Sequence, residues 1–302
     1  MKRKPRIMIT GANGFTGLHA CKYFKMAGYD VIAVSRVSQI NILDERIHLE
    51  QCDLTDKHQV RSLIRKAIPD QILHLAGQNN VQDSWNEPIT SLEANAMSTA
   101  YIIDSIRQED IPCKIIIVGS ALQLDLSKSS LFQDPYSLSK TIQVLVAQSW
   151  ESLYGMDIVI AKPSNLIGPG DSTGVCSILA KKVAEMELQR SERVLTVNNL
   201  FVQRDFIDVR DAIRAYEKLF EIGKSGVVYD ITSGQPRYLK DITDALQNLS
   251  KVDFKIQTLK NNNHEKIEVT PPEKIIKAGW SPLISFEKSL EDILIYQREN
   301  LL

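Results

Sequence analysis

Short apolar runs recur through the first two-thirds of the chain, and most of them are nearly continuous rather than alternating. Runs of this kind are typical of parallel strands that are covered on both faces. The predicted strands are residues 6–10, 30–35, 47–52, 71–76, 114–120 and 157–163. Helix-length segments lie between them, such as 14–27, 57–67, 88–108 and 136–154. This alternation predicts an α/β fold with a doubly wound parallel sheet.

The rhythm changes at "PSNLIGPG", residues 163–170, which holds two glycines and two prolines. We predict a first domain over 1–163, to which 202–232 returns. A smaller lobe is predicted over 164–201 and 233–302.

Composition and charge remove several classes of protein. Lys plus Arg (36) nearly balance Asp plus Glu (37), so the net charge of -1 gives no electrostatic footprint for nucleic acid or an anionic membrane. The basic opening lacks the apolar core of a secretory signal, and no apolar stretch reaches the roughly 20 residues that span a bilayer. We expect a soluble cytoplasmic protein. Four widely spaced cysteines predict reduced, mostly buried thiols, and five scattered histidines predict no metal site.

The stretch "ITGANGFTG" follows the first predicted strand and opens the first helix. A turn this tight needs residues without a Cβ, and the amides at a helix start suit a pyrophosphate. The spacing predicts a dinucleotide site of the Rossmann type. Its cofactor-binding residues are expected to be Gly11, Gly14, Phe15, Thr16 and Gly17.

The second strand ends at Ser35 and Arg36, with no acid nearby. Sites for NAD usually place a carboxylate there, about 20 residues past the glycines, for the ribose hydroxyl. A guanidinium binds a 2'-phosphate instead, through paired hydrogen bonds. These two residues therefore predict a preference for NADPH, while use of NADH stays open.

With these residues in view, the chain resembles the extended short-chain dehydrogenases/reductases of the nucleotide-sugar epimerase/dehydratase superfamily. The resemblance is carried by "TGANGFTG", "CDLTD", "HLAGQ", "YSLSK", "PSNLIGPG" and "RDFIDVRDAIRAY". Further stretches, among them "HLAGQNNVQDSWNEP" and "GWSPLISFEKSL", are most similar to GDP-4-keto-6-deoxy-mannose reductases.

The resemblance implies a role for each matching residue. The matches to the catalytic set are Ser120, Tyr136 and Lys140. Further contacts to the cofactor are implied for Asp53, Leu54, Leu75, Ala76, Gly77 and Pro163, besides Tyr136 and Lys140. Contacts to a nucleotide-sugar substrate are implied for Gln78, Ser120, Asn165 and Arg204. A homodimer is also implied, through helices 88–108 and 136–154.

The chemistry of ketone reduction explains why such a set is needed. A ketone that accepts hydride becomes an alkoxide, so a proton has to be delivered as charge develops on its oxygen. We expect hydride from NADPH to reach C4 of the sugar and the proton to come from Tyr136. Lys140, one helical turn away, is expected to lower the pKa of Tyr136.

Other reactions of the superfamily are weighed by single residues. Dehydratases usually add acids directly after the Ser or Thr, whereas this chain has Ala121, Leu122 and Gln123. A 4-epimerase with bound NAD uses the same three catalytic residues, and Arg36 favours a reductase over it. A non-catalytic NADP(H) sensor is disfavoured because Tyr136 and Lys140 are both present.

Two departures from the family pattern leave the sugar and the nucleoside open. The stretch "ALQLDLSKSSLFQ", residues 121–133, is short and lacks the usual Tyr-Gly, and Asp125 is read as a loop residue. The C-terminal lobe lacks the usual Arg-Pro pair. Lys260 or His264 could replace its arginine, but both are better interpreted as plain surface residues.

Overall fold

The structure is a computed structural model, and it describes residues 5–38, 47–124, 132–259, 267 and 270–301. The chain divides into two compact units. The first runs to Lys162 and includes Ile213–Tyr229, and the second holds Pro163–Ala212 and the residues from Asp230 onward. The segment that rejoins the first unit is thus shorter than the predicted 202–232.

The described strands and helices follow one another in the predicted alternating order. The strands are β1 (Arg6–Thr10), β2 (Asp30–Ser35), β3 (His48–Gln51), β4 (Gln71–His74), β5 (Lys114–Val118), β6 (Ile158–Pro163), β7 (Asn165–Ile167), β8 (Val194–Val197), β9 (Gln203–Arg204), β10 (Phe206–Asp208), β11 (Val228–Ile231), β12 (Arg237–Tyr238) and β13 (Lys255–Thr258). The helices are α1 (Phe15–Met26), α2 (Lys57–Ala67), α3 (Val81–Asn86), α4 (Pro88–Leu92), α5 (Ser98–Gln108), α6 (Pro135–Tyr154), α7 (Val175–Glu187), α8 (Val209–Ile222), α9 (Leu239–Leu249), α10 (Glu273–Ile276) and α11 (Phe286–Leu301).

Within the described ranges, the central sheet has seven strands in the order β3, β2, β1, β4, β5, β6, β11. The pairs from β3 to β6 all run parallel. Strands β2 and β3 are added on one side of β1 and β4 to β6 on the other, which is the order of a dinucleotide-binding sheet. The predicted fold class is confirmed.

The central strands are apolar in their middle positions because helices cover both faces of the sheet. Ile7, Leu73 and Ile116 are fully buried, for example, and they lie in the three neighbouring strands β1, β4 and β5. Each such side chain contributes about 1.5–3 kcal/mol when it is fully removed from water. The carboxyl ends of these strands are therefore a stable platform for the turns that follow them.

Two predicted elements differ from the structure. Strand β5 ends at Val118, so that Gly119 and Ser120 lie in the turn beyond it. The predicted helix 88–108 is interrupted by a π-helical turn at Glu93–Met97, which separates α4 from α5. Turns of this type occur frequently at functional sites because they redirect side chains.

Helix α6 begins and ends on strong sequence signals. The Asp134 side chain accepts a hydrogen bond from the Ser137 amide at 2.7 Å, and Pro135 occupies the first turn. At the other end Gly155 adopts the left-handed conformation with φ 64°. Tyr136 and Lys140 consequently lie in the first turns of a well-defined helix.

The second unit contains small strand pairs and three longer helices around an apolar core. Strand β7 pairs with β10 and β8 with β13, both parallel, while β9 and β12 are antiparallel. The helices α7, α9 and α11 enclose buried residues such as Leu179, Leu246 and Ile293. An ion pair between Arg298 and Glu187, 2.7 Å long, joins α11 to α7.

Two further expectations concern thiols and membranes. All four cysteines are buried and unpaired, as their spacing predicts, and burial raises the pKa of Cys52 to about 11. None of the helices in the described ranges combines the length and the apolar character needed to cross a bilayer.

Candidate active site

The turn after β1 depends on Gly11 and Gly17, where an added side chain would meet backbone atoms. Gly11 has φ 66°, and a Cβ on it would lie 2.9 Å from the backbone of Ala76. A Cβ on Gly17 would lie 2.1 Å from the carbonyl oxygen of Gly11. The turn therefore packs backbone against backbone, and the first strand and β4 meet in close contact.

The start of α1 fits a dinucleotide. Gly14 caps this helix without a side chain, so the first amides of the helix have no side-chain acceptor. Such amides, aligned with the positive end of the helix dipole, bind phosphate oxygens. Phe15, Thr16 and Gly17 supply these amides, as the spacing of the glycines predicts.

A buried hydrogen-bond network holds the end of β4 beside the glycine turn. The Thr10 hydroxyl accepts hydrogen bonds from the amides of Leu75 and Ala76, both at 3.1 Å. Its own proton is then directed at His74 Nδ1, 2.8 Å away. The segment predicted to pass beneath the cofactor is thus fixed to the last residue of β1.

The network continues on the other side of the His74 ring. Thr99 donates its proton to the carbonyl oxygen of Asn95 and accepts a hydrogen bond from Gln143. His74 Nε2, 2.8 Å from the Thr99 hydroxyl, is therefore the donor in that contact. His74 is thereby assigned as a neutral ring, and burial lowers its pKa to about 3, with the charge of Lys140 acting in the same direction.

Asn95, in the π-helical turn, ties the next residues to α6. Its side chain accepts from the Gln78 amide at 2.9 Å and donates to the Gln78 carbonyl at 3.0 Å. It also donates to the Ser139 hydroxyl at 2.8 Å. Gly77 leaves room for this side chain, because a Cβ there would lie 2.3 Å from Asn95 Oδ1.

The residues predicted for the adenosine end lie at the ends of β2 and β3. Ser35 is buried, and its hydroxyl accepts a hydrogen bond from the Val37 amide at 3.1 Å. The side chain of Arg36 is exposed. Asp53 is exposed and accepts hydrogen bonds from the amide and hydroxyl of Thr55, whereas Leu54 is buried in the core.

The structure brings Ser120, Tyr136 and Lys140 together at the carboxyl end of β5. The Ser120 and Tyr136 side chains are hydrogen-bonded to each other. Tyr136 and Lys140 are 8% and 7% exposed. Lys140 Nζ donates to the carbonyl oxygen of Val118 at 2.8 Å. The amide of Tyr136 donates to the Ser84 hydroxyl, which fixes the start of the helix.

The electrostatics of this group differ from the expectation. Burial raises the pKa of Tyr136, and its hydrogen bond with Ser120 acts in the opposite direction. The expected lowering by Lys140 is not among the influences on the Tyr136 pKa. Burial also lowers the pKa of Lys140, to about 7, and its Nζ is bound to Val118. Tyr136 is therefore protonated at neutral pH.

The remaining predicted residues lie in the second unit. Pro163 ends β6, and Asn165 begins β7. The Asn165 side chain donates to the Asp205 carbonyl at 2.8 Å, next to Arg204. Arg204 is exposed and donates to the Gln203 carbonyl at 2.7 Å. Asp125, Lys260 and His264 lie outside the described residues.

Sequence reasoning missed the residues that support the site. Thr10 was visible as the last residue of the first strand, but its contacts connect positions about 65 apart in the chain. His74, Asn95 and Gln123 were visible only as parts of motifs or loops. Long-range hydrogen bonds of this kind leave no periodic pattern in the sequence.

A dinucleotide-type glycine turn after β1 and a Ser beside a buried Tyr and Lys at the end of β5 define an α/β protein equipped for nicotinamide chemistry. The chain belongs to the NAD dependent epimerase/dehydratase family, which residues 7–232 match. The resemblance predicted from the sequence motifs is confirmed.

Individual relatives cover nearly the whole chain. It is 25% identical to the GDP-6-deoxy-D-mannose reductase of Pseudomonas aeruginosa over 304 residues, which cover 96% of each chain. It is 22% identical to a putative UDP-glucose 4-epimerase of Methanocaldococcus jannaschii, covering 97% of this chain and 99% of the relative. The solved structure of RMD from Pseudomonas aeruginosa complexed with NADPH has a TM-score of 0.85 at 24% identity, covering 98% of this chain and 100% of the other.

Proposed function

We propose that this protein is a cytoplasmic, NADPH-dependent reductase of the 4-ketone in a nucleotide-linked 4-keto-6-deoxy sugar. The observation that carries the proposal is Ser120 hydrogen-bonded to a buried, protonated Tyr136, one helical turn before Lys140. No carboxylate follows at residues 121–123, where dehydration would need one. Ser120, Tyr136 and Lys140 can protonate an oxygen, but they lack the additional acid and base that elimination of water needs.

The protonation states suit reduction rather than oxidation of the substrate. When bound, NADPH supplies the hydride that the ketone accepts. Tyr136 then gives its Oη proton to the developing alkoxide, and the Ser120 hydroxyl donates a hydrogen bond to the same oxygen. The raised pKa of Tyr136 keeps that proton in place until the ketone oxygen gains charge.

The residues of the first unit fit NADPH. The amides of Phe15, Thr16 and Gly17 would bind the pyrophosphate, and the exposed Arg36 would bind the 2'-phosphate. Lys140 would bind the hydroxyls of the nicotinamide ribose. The Pseudomonas structure that resembles this chain contains NADPH, which supports the same choice.

The substrate is proposed from the residues and from the relatives together. Gln78, Asn165 and Arg204 would hold the nucleotide sugar, and the fork of Arg204 suits a diphosphate. Similarity to a GDP-6-deoxy-D-mannose reductase makes GDP the first nucleoside to test.

The experiment mixes the purified protein with NADPH or NADH and a panel of GDP-, UDP-, dTDP- and CDP-linked 4-keto-6-deoxy sugars. Absorbance of the nicotinamide and the configuration of the product at C4 are followed. We expect NADPH to be consumed with at least one ketosugar. Absence of turnover across the panel would contradict the proposal.

A 4-epimerase is the second candidate, because a putative UDP-glucose 4-epimerase is among the relatives. The family resemblance implies the same Ser, Tyr and Lys for that reaction. It would interconvert an ordinary nucleotide sugar without net change in the cofactor. The same panel, extended with UDP-glucose, separates the two reactions.

We further propose a homodimer that pairs α4 to α6 with the same helices of a second copy. Ile102 and Ile106 are buried in the core, but Ile89, Met97 and Leu145 expose 65%, 42% and 41% of their surface. Exposed apolar side chains of this size favour an interface. Light scattering should give twice the chain mass, and Leu145→Glu should shift it toward the monomer; a wild-type monomer would contradict the dimer.

A further inference from the structure

The side chain of Gln123 closes the turn that carries Ser120. Strand β5 ends at Val118, so the Ser120 amide lies beyond the hydrogen-bond ladder of the sheet. Gln123 Oε1 accepts from this amide at 3.1 Å. A partly buried amide without an acceptor is unfavourable, so this contact stabilises the position of the Ser120 backbone.

Two more contacts complete the turn. The Gln123 amide donates to the Ser120 carbonyl at 3.1 Å. The Leu122 amide donates to the Ser120 hydroxyl oxygen, also at 3.1 Å. The oxygen accepts this bond through one of its lone pairs, and the hydroxyl proton stays available for Tyr136.

Gly119 provides the space for the Gln123 carboxamide. A Cβ on Gly119 would lie 2.2 Å from Gln123 Oε1 and 3.4 Å from Val144. The backbone of Gly119 does not adopt a positive φ, so alanine is compatible with it. An added methyl would thus displace the carboxamide without straining the backbone.

The far end of the turn is attached to the helix that carries the tyrosine. The Leu124 amide donates to the Thr141 hydroxyl at 2.9 Å, and Thr141 in turn donates to the Ser137 carbonyl at 2.7 Å. The Ser120 turn and the first turns of α6 therefore form one hydrogen-bonded piece, with Gln123 at its centre.

We infer that Gln123 is a positioning residue, whose carboxamide holds Ser120 so that the serine hydroxyl is aimed at Tyr136 and the ketone oxygen. In its kinetic consequence this inference rests on the proposed reductase function. The Gln123 carboxamide binds the Ser120 backbone and is uncharged, so it acts on the reaction through Ser120.

The test compares two replacements of similar length. Gln123→Met removes the acceptor, and Gln123→Glu keeps one. We expect kcat to fall about tenfold in the methionine variant, the equivalent of one lost hydrogen bond, with the KM for the ketosugar and the Kd for NADPH within about twofold. The glutamate variant should keep kcat within about threefold. The control Gln108→Met, an exposed glutamine of α5, should leave kcat unchanged.

A second variant, Gly119→Ala, disrupts the contact between Gln123 and Ser120 without changing Gln123. Gly119→Ala should lower kcat about as much as Gln123→Met, because its methyl occupies the place of Oε1. The double variant should be no worse than either single one, since both remove the same contact. Additive losses, or equal losses in the methionine and glutamate variants, would overturn the inference.

A readout without substrate separates this inference from the proposed function. Without the Gln123 acceptor, the hydrogen bond from Ser120 to Tyr136 should weaken, which should raise the pKa of Tyr136 further in Gln123→Met. This pKa is measured from the phenolate absorbance that is lost when Tyr136→Phe is added to each protein. If the wild type reduces no ketosugar but this shift occurs, the proposed function fails and the positioning role stands. If the wild type is active and neither kcat nor the pKa changes in folded Gln123→Met, the positioning role fails.

Discussion

The turn after β1 and the turn after β5 occupy equivalent positions at the ends of parallel strands, but different forces hold them. In the first, Gly11 and Gly17 bring backbone against backbone, and substitution by any larger residue produces a clash. In the second, the Gln123 side chain bonds the backbone of Ser120. A turn held by steric exclusion can be recognised from its glycines alone. A turn held by a side chain can be recognised only in the folded chain.

The two turns also differ in how burial acts on their ionisable groups. Beside the glycine turn, His74 is neutral and makes hydrogen bonds on both ring nitrogens. Beside the turn after β5, which carries Ser120 and is called the serine turn below, burial raises the pKa of Tyr136 and lowers that of Lys140 to about 7. The first arrangement is suited to binding a cofactor rigidly, and the second to moving a proton near neutral pH.

The largest expected effect separates the chemistry of the serine turn from the binding at the glycine turn. Tyr136→Phe should lower kcat about 10³-fold by removing the proton donor. The Kd for NADPH should stay within about twofold, because the glycine turn is untouched. Tyr154→Phe, an exposed tyrosine of the same helix, is the control. Near-normal turnover of Tyr136→Phe, measured with saturating NADPH, would exclude Tyr136 as the donor.

Gly17→Ala should disrupt the glycine turn after β1 and weaken the binding of NADPH. Its methyl would meet the Gly11 carbonyl at 2.1 Å and the Ala12 Cα at 2.8 Å, so the turn has to open. We expect the Kd for NADPH, measured by fluorescence titration, to rise about 100-fold, equivalent to roughly 3 kcal/mol of overpacking. Gly155→Ala meets no atom within 4 Å and should cost about 1 kcal/mol of stability from its positive φ, with normal NADPH affinity. Equal NADPH affinities in both variants would contradict the steric account.

The His74 network makes the stability of the chain depend on pH. The pKa of His74 is about 3 in the folded chain and about 6.5 in an unfolded one, so the unfolded state binds the proton first as the pH falls. This contribution to stability is complete above pH 6.5 and is lost toward pH 3. Between pH 6.5 and 5 the loss should be about 2 kcal/mol in the free energy of unfolding by urea.

His74→Gln should be less stable at neutral pH but should lack this part of the pH dependence. His58→Gln, an exposed histidine of α2, should keep the wild-type slope. If His74→Gln and the wild type lost stability in parallel between pH 6.5 and 5, the neutral assignment of His74 would be wrong.

The smallest expected effect concerns the choice between the two nicotinamide cofactors. Arg36→Ala should reduce the preference for NADPH over NADH about tenfold, the equivalent of one charge-assisted contact. Arg65→Ala removes an exposed arginine of α2 that is paired with Glu109, and should leave the ratio unchanged. The ratio of kcat/KM for the two cofactors is the measurement. An unchanged ratio in Arg36→Ala would show that residues other than Arg36 set the preference for NADPH.

The fold could be predicted from the sequence because continuous apolar runs and glycine spacing are local signals. The presence of a Ser, Tyr and Lys set could be predicted from its motifs. The direction of the Tyr136 pKa could not, because burial depends on the helices packed around it. His74, Asn95 and Gln123 escaped prediction for a related reason: each acts through hydrogen bonds to backbone groups that only the folded chain brings near.

The transfer of isotope from added cofactor tests the central claim most directly. The wild-type protein is given NADPH deuterated at the transferable position of the nicotinamide, together with a nucleotide-linked 4-keto-6-deoxy sugar. The account predicts one NADPH oxidised per product and deuterium at C4 of the new alcohol. A product formed without oxidation of the added NADPH, or without deuterium at C4, would contradict it.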